Sequence, residues 1–298
     1  FLSQDGAVRT LLNCAFVGIF GGFYIVPLYA LVQERCDKSH LSRVIAGNNI
    51  LNAFFMVIAA ALAAVCLGNG MTIPQFFMLT AILNSVVAIY IFSLIPEFLM
   101  RFLIWILINT IYRVKKTGLE NVPGEGACVV VCNHVSYVDA LIIGGTVRRP
   151  IRFVMYHKIF KVPVLSFIFR TAKAIPIAGH KEDPELLNEA MYTIAEALDQ
   201  GEVVCIFPEG KLTSDGDMNE FKSGIHRIIE KTPVPVVPMA LQGLWHSLFS
   251  RKKVNKFIDR LKRLRTKVTL VVAEPISPDE ANKEHLYTVV KELRDDKP

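Results

Sequence analysis

The sequence predicts membrane-spanning helices followed by an α/β domain in which helices flank a largely parallel sheet. Of the 298 residues, 52% are hydrophobic and only 20% are charged, which is more apolar than is usual for a soluble globular protein. This apolar excess is concentrated in residues 1–95. Residues 118–298 instead alternate short β-branched runs with longer amphipathic stretches, a pattern typical of a parallel sheet covered by helices.

Residues 1–95 are predicted to form three transmembrane helices, because each of three apolar stretches reaches the length of about 20 residues that a membrane span needs. The stretches run from Ala7 to Val32, from Val44 to Leu67 and from Ile73 to Ile95. The first connection carries Arg35, Lys38 and Arg43, whereas residues 68–72 carry no charge. The positive-inside rule therefore predicts a multi-pass protein of the cell inner membrane, with its later residues on the cytoplasmic face.

Residues 96–117 are predicted to form an interfacial amphipathic helix and a linker. The uncharged stretch from Phe102 to Tyr112 is too short for a span, and Glu97 and Arg101 precede it. A fourth transmembrane helix is the alternative. It would place all later residues on the opposite side of the membrane.

Residues 118–298 are predicted to form the α/β domain. Its strands are expected at Cys128–Cys132, Ile151–Met155, Ala174–Ile177, Val203–Phe207, Val234–Leu241 and Val268–Val272. Its helices are expected at His157–Arg170, Pro184–Gln200, Asn219–Lys231, Lys252–Arg265 and Pro278–Arg294. Ligands of such sheets bind beyond the carboxyl ends of the strands, and two polar sequences follow predicted strands here.

The first polar sequence, CNHVSYVDAL, places Asn133, His134 and Asp139 after a strand. A neutral imidazole can accept a proton from a hydroxyl, and a carboxylate on its other nitrogen orients it. On one continuous helix the two side chains would point about 140° apart, so they can meet only if His134 lies in a turn and Asp139 in the first helical turn. A plain polar loop is the alternative. Ser136 is a rival nucleophile for a hydrolase, but it lies in no Gly-x-Ser-x-Gly elbow.

The second polar sequence, IFPEGKLTSDG, follows another predicted buried strand. Pro208 and Gly210 shape a turn with Glu209 at its apex and Lys211 after it. Taken alone, this pattern fits an ordinary turn between a strand and a helix. In combination with NHxxxxD about 70 residues upstream it is far more specific.

These two motifs, together with VPVVP at residues 234–238, resemble the glycerolipid acyltransferase family, which acylates lysophosphatidate and related lysophospholipids. The resemblance implies an α/β acyltransferase domain in which His134 is the catalytic base and Asp139 orients it. It further assigns acceptor binding to the residues around the two motifs, namely Asn133, Phe207, Pro208, Glu209, Gly210 and Lys211. The acyl donor is expected to be acyl-CoA or an acyl carrier protein thioester, with no metal and no other cofactor.

Two departures from the family pattern affect the expected acceptor. The second family block commonly ends in an arginine, which residues 174–179 lack, and the third often continues with Thr-Arg where this chain has Lys211-Leu212. Each departure removes an arginine, whose planar guanidinium group can bind a phosphate monoester through two hydrogen bonds. The main expectation is therefore lysophosphatidylethanolamine. Lysophosphatidate is the alternative, and it would need a substitute such as Arg170 or Arg152.

Residues 1–95 resemble the C-terminal end of a major-facilitator lysophospholipid transporter. The whole chain is similar to fusions of such a transporter with a 2-acylglycerophosphoethanolamine acyltransferase. Some of those proteins also carry an acyl-activating ligase domain, which we expect on the C-terminal side of a longer protein if this chain is a fragment. A lysolipid transporter fragment with a non-catalytic α/β domain is a further alternative.

The net charge of +6 has a local source in residues 251–267, where nine Lys or Arg residues accompany one Asp. Such a block is typical of contact with an anionic surface, for which membrane lipids or an acidic acyl carrier protein are the expected partners. Nucleic acid is not an expected partner, because no nucleic-acid-binding motif accompanies the charge. The six cysteines have no metal-site spacing and are read as reduced residues of the core or the membrane.

Overall fold

The computed structural model describes residues 6–94, 96–251, 263 and 265–295. Two compact units divide the chain, one of residues 1–94 and one of residues 95–298. The first unit contains the helices α1 (Ala7–Arg35), α2 (Leu41–Gly68) and α3 (Ile73–Leu94). By length and composition all three are candidate membrane spans.

The second unit is an α/β domain. It begins with α4 (Pro96–Ile111), β1 (Tyr112–Thr117), β2 (Cys128–Cys132), α5 (Asp139–Thr146) and β3 (Ile151–Tyr156). It continues with α6 (Pro163–Thr171), β4 (Ile175–Ile177), α7 (Pro184–Asp199) and β5 (Val203–Ile206). Next come α8 (Gly224–Lys231), β6 (Val236–Gln242), β7 (Thr266–Val272) and α9 (Lys283–Arg294). Short 3₁₀ turns lie at Leu119–Asn121 and His157–Lys161.

The strands of the second unit form one sheet in the order β1-β7-β6-β2-β5-β3-β4. The strands from β6 to β4 are mutually parallel, whereas β7 pairs antiparallel with β6 and parallel with β1. The predicted fold class, apolar helices followed by a helix-flanked and mostly parallel sheet, is confirmed.

Both faces of the sheet are covered, and β2 shows how the sequence arranges this. Its five residues are fully buried, with alternate side chains directed to opposite faces. Cys128, Val130 and Cys132 join a core with residues of α4 and α5, while Val129 and Val131 join a core with α7, α8 and α9. Burial on both faces explains the continuous apolar run in place of alternation.

The end of the region predicted as helix and linker is in fact a strand. Tyr112–Thr117 forms β1, which pairs with β7 from Tyr112 opposite Thr266 to Thr117 opposite Val271. The segment contains the cations Arg113, Lys115 and Lys116, which follow the apolar stretch of the predicted helix. They are tolerated in a strand because β1 is an edge strand with largely exposed side chains.

Three predicted helix boundaries were wrong. The predicted helix His157–Arg170 is divided, because Val162 is extended before Pro163. The helix predicted from Asn219 begins at Gly224, and the one predicted from Pro278 begins at Lys283, where Asn282 caps it by accepting a hydrogen bond from His285 N. The helix predicted at Lys252–Arg265, with most of the basic block, lies outside the described residues.

Candidate active site

The carboxyl ends of β2 and β5 meet at one edge of the sheet, because the two strands are parallel neighbours with Val131 opposite Ile206. The chain continues from β2 into residues 133–138 and from β5 into residues 207–223. The two polar sequences therefore lie side by side where α/β sheets bind their ligands.

His134 and Asp139 are in direct contact. His134 Nδ1 lies 2.8 Å from Asp139 Oδ2, with His134 in the loop after β2 and Asp139 at the first residue of α5. The Asp139 side chain is fully buried, whereas that of His134 is 24% exposed. Because an ionised carboxylate can only accept, Nδ1 carries the proton and Nε2 is left as the basic nitrogen.

Asp139 also organises the turn that leads into α5. Its carboxylate accepts hydrogen bonds from Val135 N at 2.7 Å and from Ser136 N at 3.0 Å. The two interpretations of CNHVSYVDAL, a turn residue and an orienting partner for a base, therefore apply to the same side chain. The same carboxylate fixes the turn and orients the imidazole of His134.

The arrangement of Ser136 does not favour a hydrolase. Its side chain is fully buried, and Oγ donates a hydrogen bond to Phe249 O at 3.0 Å. A hydroxyl in this position is committed to the backbone and is closed off from solvent.

Glu209 links the two loops from a buried position. Its side chain is 1% exposed, and Oε1 accepts from His134 N at 2.7 Å. Oε2 accepts from Asn219 N at 2.7 Å and from Asn219 Nδ2 at 2.8 Å. Burial raises the pKa of the Glu209 carboxyl, while the hydrogen bonds from Asn219 and His134 oppose the shift. Both carboxylate oxygens accept hydrogen bonds from the protein, so Glu209 holds His134 in position. The family resemblance instead implies a direct contact of Glu209 with the lysolipid acceptor.

The second loop holds His134 at two further points. Thr213 N donates to His134 O at 3.0 Å, so both backbone polar groups of His134 are bound by this loop. The Phe207 ring stacks on the imidazole with centroids 4.3 Å apart and an interplanar angle of 17°. Phe207, assigned from the sequence to acceptor binding, packs directly against the candidate base.

Asn133, also expected from the resemblance to bind the acceptor, is bound in the structure to the backbone of β6. Its side chain is fully buried. Nδ2 donates to Leu241 O at 3.0 Å, and Oδ1 accepts from Leu241 N at 2.8 Å. The side-chain amide of Asn133 thus extends the pairing of β2 with β6 beyond the end of β2. None of the Asn133 side chain is exposed to a substrate.

The remaining predicted binding residues form the outer part of the second loop. Gly210 has φ of +65°, a left-handed conformation that favours glycine, and its N–H donates to Phe207 O at 2.9 Å. Pro208 is buried, whereas Gly210 and Lys211 are exposed and free to meet an acceptor. Lys222 N donates to Pro208 O at 2.9 Å, which folds the later part of the loop back onto the turn.

An apolar groove of about 570 Å³, including its open mouth, lies beside this site. Ala140, the chain neighbour of Asp139, is one of its lining residues. Its lining is apolar apart from two charged residues of α4 and comprises Glu97, Met100, Arg101, Ile104, Ala140, Leu141, Gly144, Ile151, Phe153, Met155, Ile168, Phe169, Ala172 and Ala174.

Sequence reasoning missed three residues of the second loop. Thr213 lies within the quoted motif, but only its backbone N–H acts on His134. Asn219 and Lys222 were read as the first turn of a helix. No local pattern reveals either residue, since each acts on a turn about ten residues earlier in the chain.

The comparisons identify the class to which this fold and site belong. Residues 113–242 match the family model described as Acyltransferase, a range that contains β1 to β6 and both loops. Residues 113–242 of the α/β unit, which include both loops, are therefore similar to an acyltransferase domain.

The relatives make the similarity more specific. A 1-acyl-sn-glycerol-3-phosphate acyltransferase from Brassica napus, described as chloroplastic, is 32% identical over 133 residues, which are 44% of this chain and 38% of that protein. A Bacillus subtilis protein of the same description is 28% identical over 148 residues, 49% of this chain and 71% of that protein. This chain thus spans only 38% of the Brassica relative's length.

A solved structure shares the fold. The crystal structure of the 1-acyl-sn-glycerophosphate (LPA) acyltransferase PlsC from Thermotoga maritima matches with a TM-score of 0.52 and 24% identity, over 73% of this chain and 92% of that one.

Proposed function

We propose that this protein transfers a fatty acyl group from an acyl thioester to the free hydroxyl of 1-acylglycerol 3-phosphate (lysophosphatidate). The observation that carries the proposal is the contact of 2.8 Å between a partly exposed His134 and a buried Asp139 at the carboxyl edge of the sheet. The relatives support the choice of acceptor, because those reported above are described as acting on 1-acyl-sn-glycerol 3-phosphate.

The chemistry follows from the free Nε2 of His134. This nitrogen removes the proton of the acceptor hydroxyl as the hydroxyl oxygen attacks the thioester carbonyl carbon. The new C–O bond forms and the C–S bond breaks. The sulfur takes the proton back from His134 and leaves as the free thiol. Asp139 stabilises the transient imidazolium, and the stacked Phe207 ring and the bond to Glu209 keep the imidazole in place.

The groove between α4, α5, β3 and α6 is suited to the acyl chain of the donor. Its lining is almost entirely apolar, and it includes Ala140, the residue after Asp139. A fatty acyl chain in this groove would gain the free energy of burying its methylene groups, about 0.8 kcal/mol for each.

Lysophosphatidylethanolamine is the second candidate acceptor. The observation in its favour is the absence of arginine from residues 174–179 and from the two positions after Gly210. The family model covers residues 113–242, so the transporter-like role of residues 1–95 and the additional ligase domain stay predictions from sequence resemblance.

Purified protein in lipid nanodiscs, given a panel of lysolipids with acyl-CoA or acyl carrier protein donors, tests the proposal. Mass spectrometry should detect phosphatidate as the main product. His134→Ala should lower kcat/KM by about 10²- to 10⁴-fold, the usual contribution of general base catalysis.

His226→Ala, which changes an exposed histidine of α8, is the matched control and should retain full activity. Equal rates for the wild type and His134→Ala, or no acylated product from any acceptor, would contradict the proposal.

A further inference from the structure

The side chain of Lys222 lies across Gly210, on the exposed part of the second loop. A Cβ atom built on Gly210 would be 2.6 Å from Lys222 Nζ, 2.9 Å from Cε and 3.0 Å from Cδ. Both the ammonium group and the end of its alkyl chain therefore occupy the space that the glycine leaves open. The backbone N–H of Lys222 is bound to Pro208 O, which fixes the base of the side chain on the same turn.

This ammonium group has no counter-ion within the part of the chain that the structure describes. Other cations near the sheet are already engaged. Lys158 lies 2.8 Å from a carboxylate oxygen of Glu182, and Arg152 is paired with Glu202. Lys211 lies close enough to Asp215 to contribute to the lowered pKa of that carboxyl. Lys222 is thus an exposed positive charge available to a ligand.

The turn that Lys222 covers is linked to the candidate base. Gly210 follows Glu209, and Glu209 Oε1 accepts from His134 N at 2.7 Å. In a glycerol phosphate only a few covalent bonds separate the reacting hydroxyl from the phosphorus. An acceptor with its hydroxyl at His134 therefore has its phosphate in the neighbourhood of the turn that carries Lys222.

Arg152, one of the two arginines expected to substitute for the missing ones, does not fit this position. Arg152 lies at the second residue of β3, near the amino end of the strand and away from the edge that carries His134. Its pairing with Glu202 further occupies it. A lysine can bind phosphate as a point charge without the planar fork of an arginine.

We infer that Lys222 binds the phosphate of the lysolipid acceptor and sets the preference for a monoester over a diester head group. The inference rests on the proposed acyl transfer and names the group that holds its acceptor. A phosphate monoester carries a charge of about −1.5 to −2 at pH 7, more than a phosphodiester, so it gains more from one uncompensated cation.

Steady-state kinetics of Lys222→Met with lysophosphatidate and lysophosphatidylethanolamine test the inference. KM for lysophosphatidate should rise about 10- to 100-fold, as expected for the loss of a hydrogen bond between charged groups, with kcat nearly unchanged. KM for the ethanolamine lipid should rise less. Lys222→Arg should restore most of the affinity, and the rise for Met should shrink at high salt.

Lys231→Met is the matched control, because Lys231 is the last residue of α8, whereas Lys222 precedes the helix, and the Lys231 ammonium lies 5.7 Å from the Tyr192 ring centroid. It should leave KM unchanged. Equal losses for both acceptors, or a lower kcat with unchanged KM, would overturn the inference.

Equilibrium binding separates this inference from the proposed function. Lysophosphatidate should bind His134→Ala at least tenfold more tightly than it binds the double variant with Lys222→Met. Unchanged affinity would refute the role of Lys222 alone. Tight, Lys222-dependent binding by a wild-type protein that forms no acylated product would support that role and refute acyl transfer.

Discussion

At the scale of single residues, two buried carboxylates determine the position of one imidazole. Asp139 binds the ring of His134 and the two backbone N–H groups after it. Glu209 binds the backbone N–H of His134 and joins it to Asn219 in the second loop. Because the imidazole is held from both loops, its orientation does not depend on bound substrate.

Glu209 leads to a prediction about pH. Its pKa is raised by burial, so the folded protein binds this proton more tightly than the unfolded chain does. The associated stability is fully present below the ordinary pKa of 4.5 and is lost as pH rises through the higher pKa of the folded state. Glu209→Gln cannot ionise, so the wild type should lose thermal stability relative to this variant as pH rises from 4.5.

At low pH the free energy of unfolding of Glu209→Gln should be about 1–3 kcal/mol below that of the wild type, because the amide nitrogen of Gln would face an N–H donor. Thermal unfolding midpoints of both proteins across the pH range measure the changing difference. Glu220→Gln, at an exposed position, controls for the loss of one acidic residue. A wild type that gains stability relative to Glu209→Gln with rising pH would contradict the prediction.

At the scale of elements, α4 is part of the α/β domain. Its 16 residues extend about 24 Å, less than the hydrocarbon core of about 30 Å. Ile108 on its inner face is buried, and Arg101 donates to Val147 O at 3.3 Å. Leu103 and Leu107 on the other side are about half exposed. This arrangement favours the interfacial helix over a fourth membrane span.

Gly145 permits the close packing of α4 on α5, and its replacement should be costly. A Cβ atom there would be 3.3 Å from Ile104 Cγ2 and 3.7 Å from the Trp105 backbone. Gly145→Leu should therefore move α4, lower stability by about 1–3 kcal/mol and raise KM for the acyl donor, since α4 lines the groove.

Thermal unfolding and donor kinetics check this expectation. Gly124→Leu serves as the control, because nothing lies within 4 Å of a Cβ atom at that position. A Gly145→Leu protein as stable and as active as this control would show that the position of α4 does not depend on its close approach to Gly145.

At the scale of the whole molecule, the charge of the connections predicts the topology. Arg35, Lys38 and Arg43 lie in and beside the connection between α1 and α2, whereas the connection between α2 and α3 contains no charge. From the positive-inside rule we predict that Asn69 lies outside and that the α/β unit follows three candidate spans on the cytoplasmic face.

Labelling with a membrane-impermeant maleimide tests this topology. Asn69→Cys should react in intact cells, whereas the native Cys36 and an added Ser214→Cys should react only after permeabilisation. The native protein without added cysteines gives the background. Reaction of Ser214→Cys in intact cells would mean that the α/β unit lies on the outer side.

Much of the architecture could be predicted from local patterns. Long apolar stretches identify helices, and the buried β2 run identifies a central strand, because burial selects residues position by position. The contact of His134 with Asp139 could also be expected, because a connection of six residues between a strand and a helix allows only a few geometries. β1 could not be recognised, since its strand conformation depends on pairing with β7, about 150 residues later.

By itself, the sequence determined the apolar spans, the α/β pattern and the two motifs that contain the candidate base and its orienting acid. Only the tertiary structure showed that Glu209 holds His134 and that Asn133 joins β2 to β6. Only the tertiary structure placed the Lys222 side chain over Gly210. Glu209 contacts His134 across 75 residues of sequence, and Asn133 contacts Leu241 across 108 residues. Lys222 reaches Gly210 because the loop folds back on itself. A motif specifies which groups are present, whereas the partners that satisfy a buried polar group are chosen by the packing of distant segments.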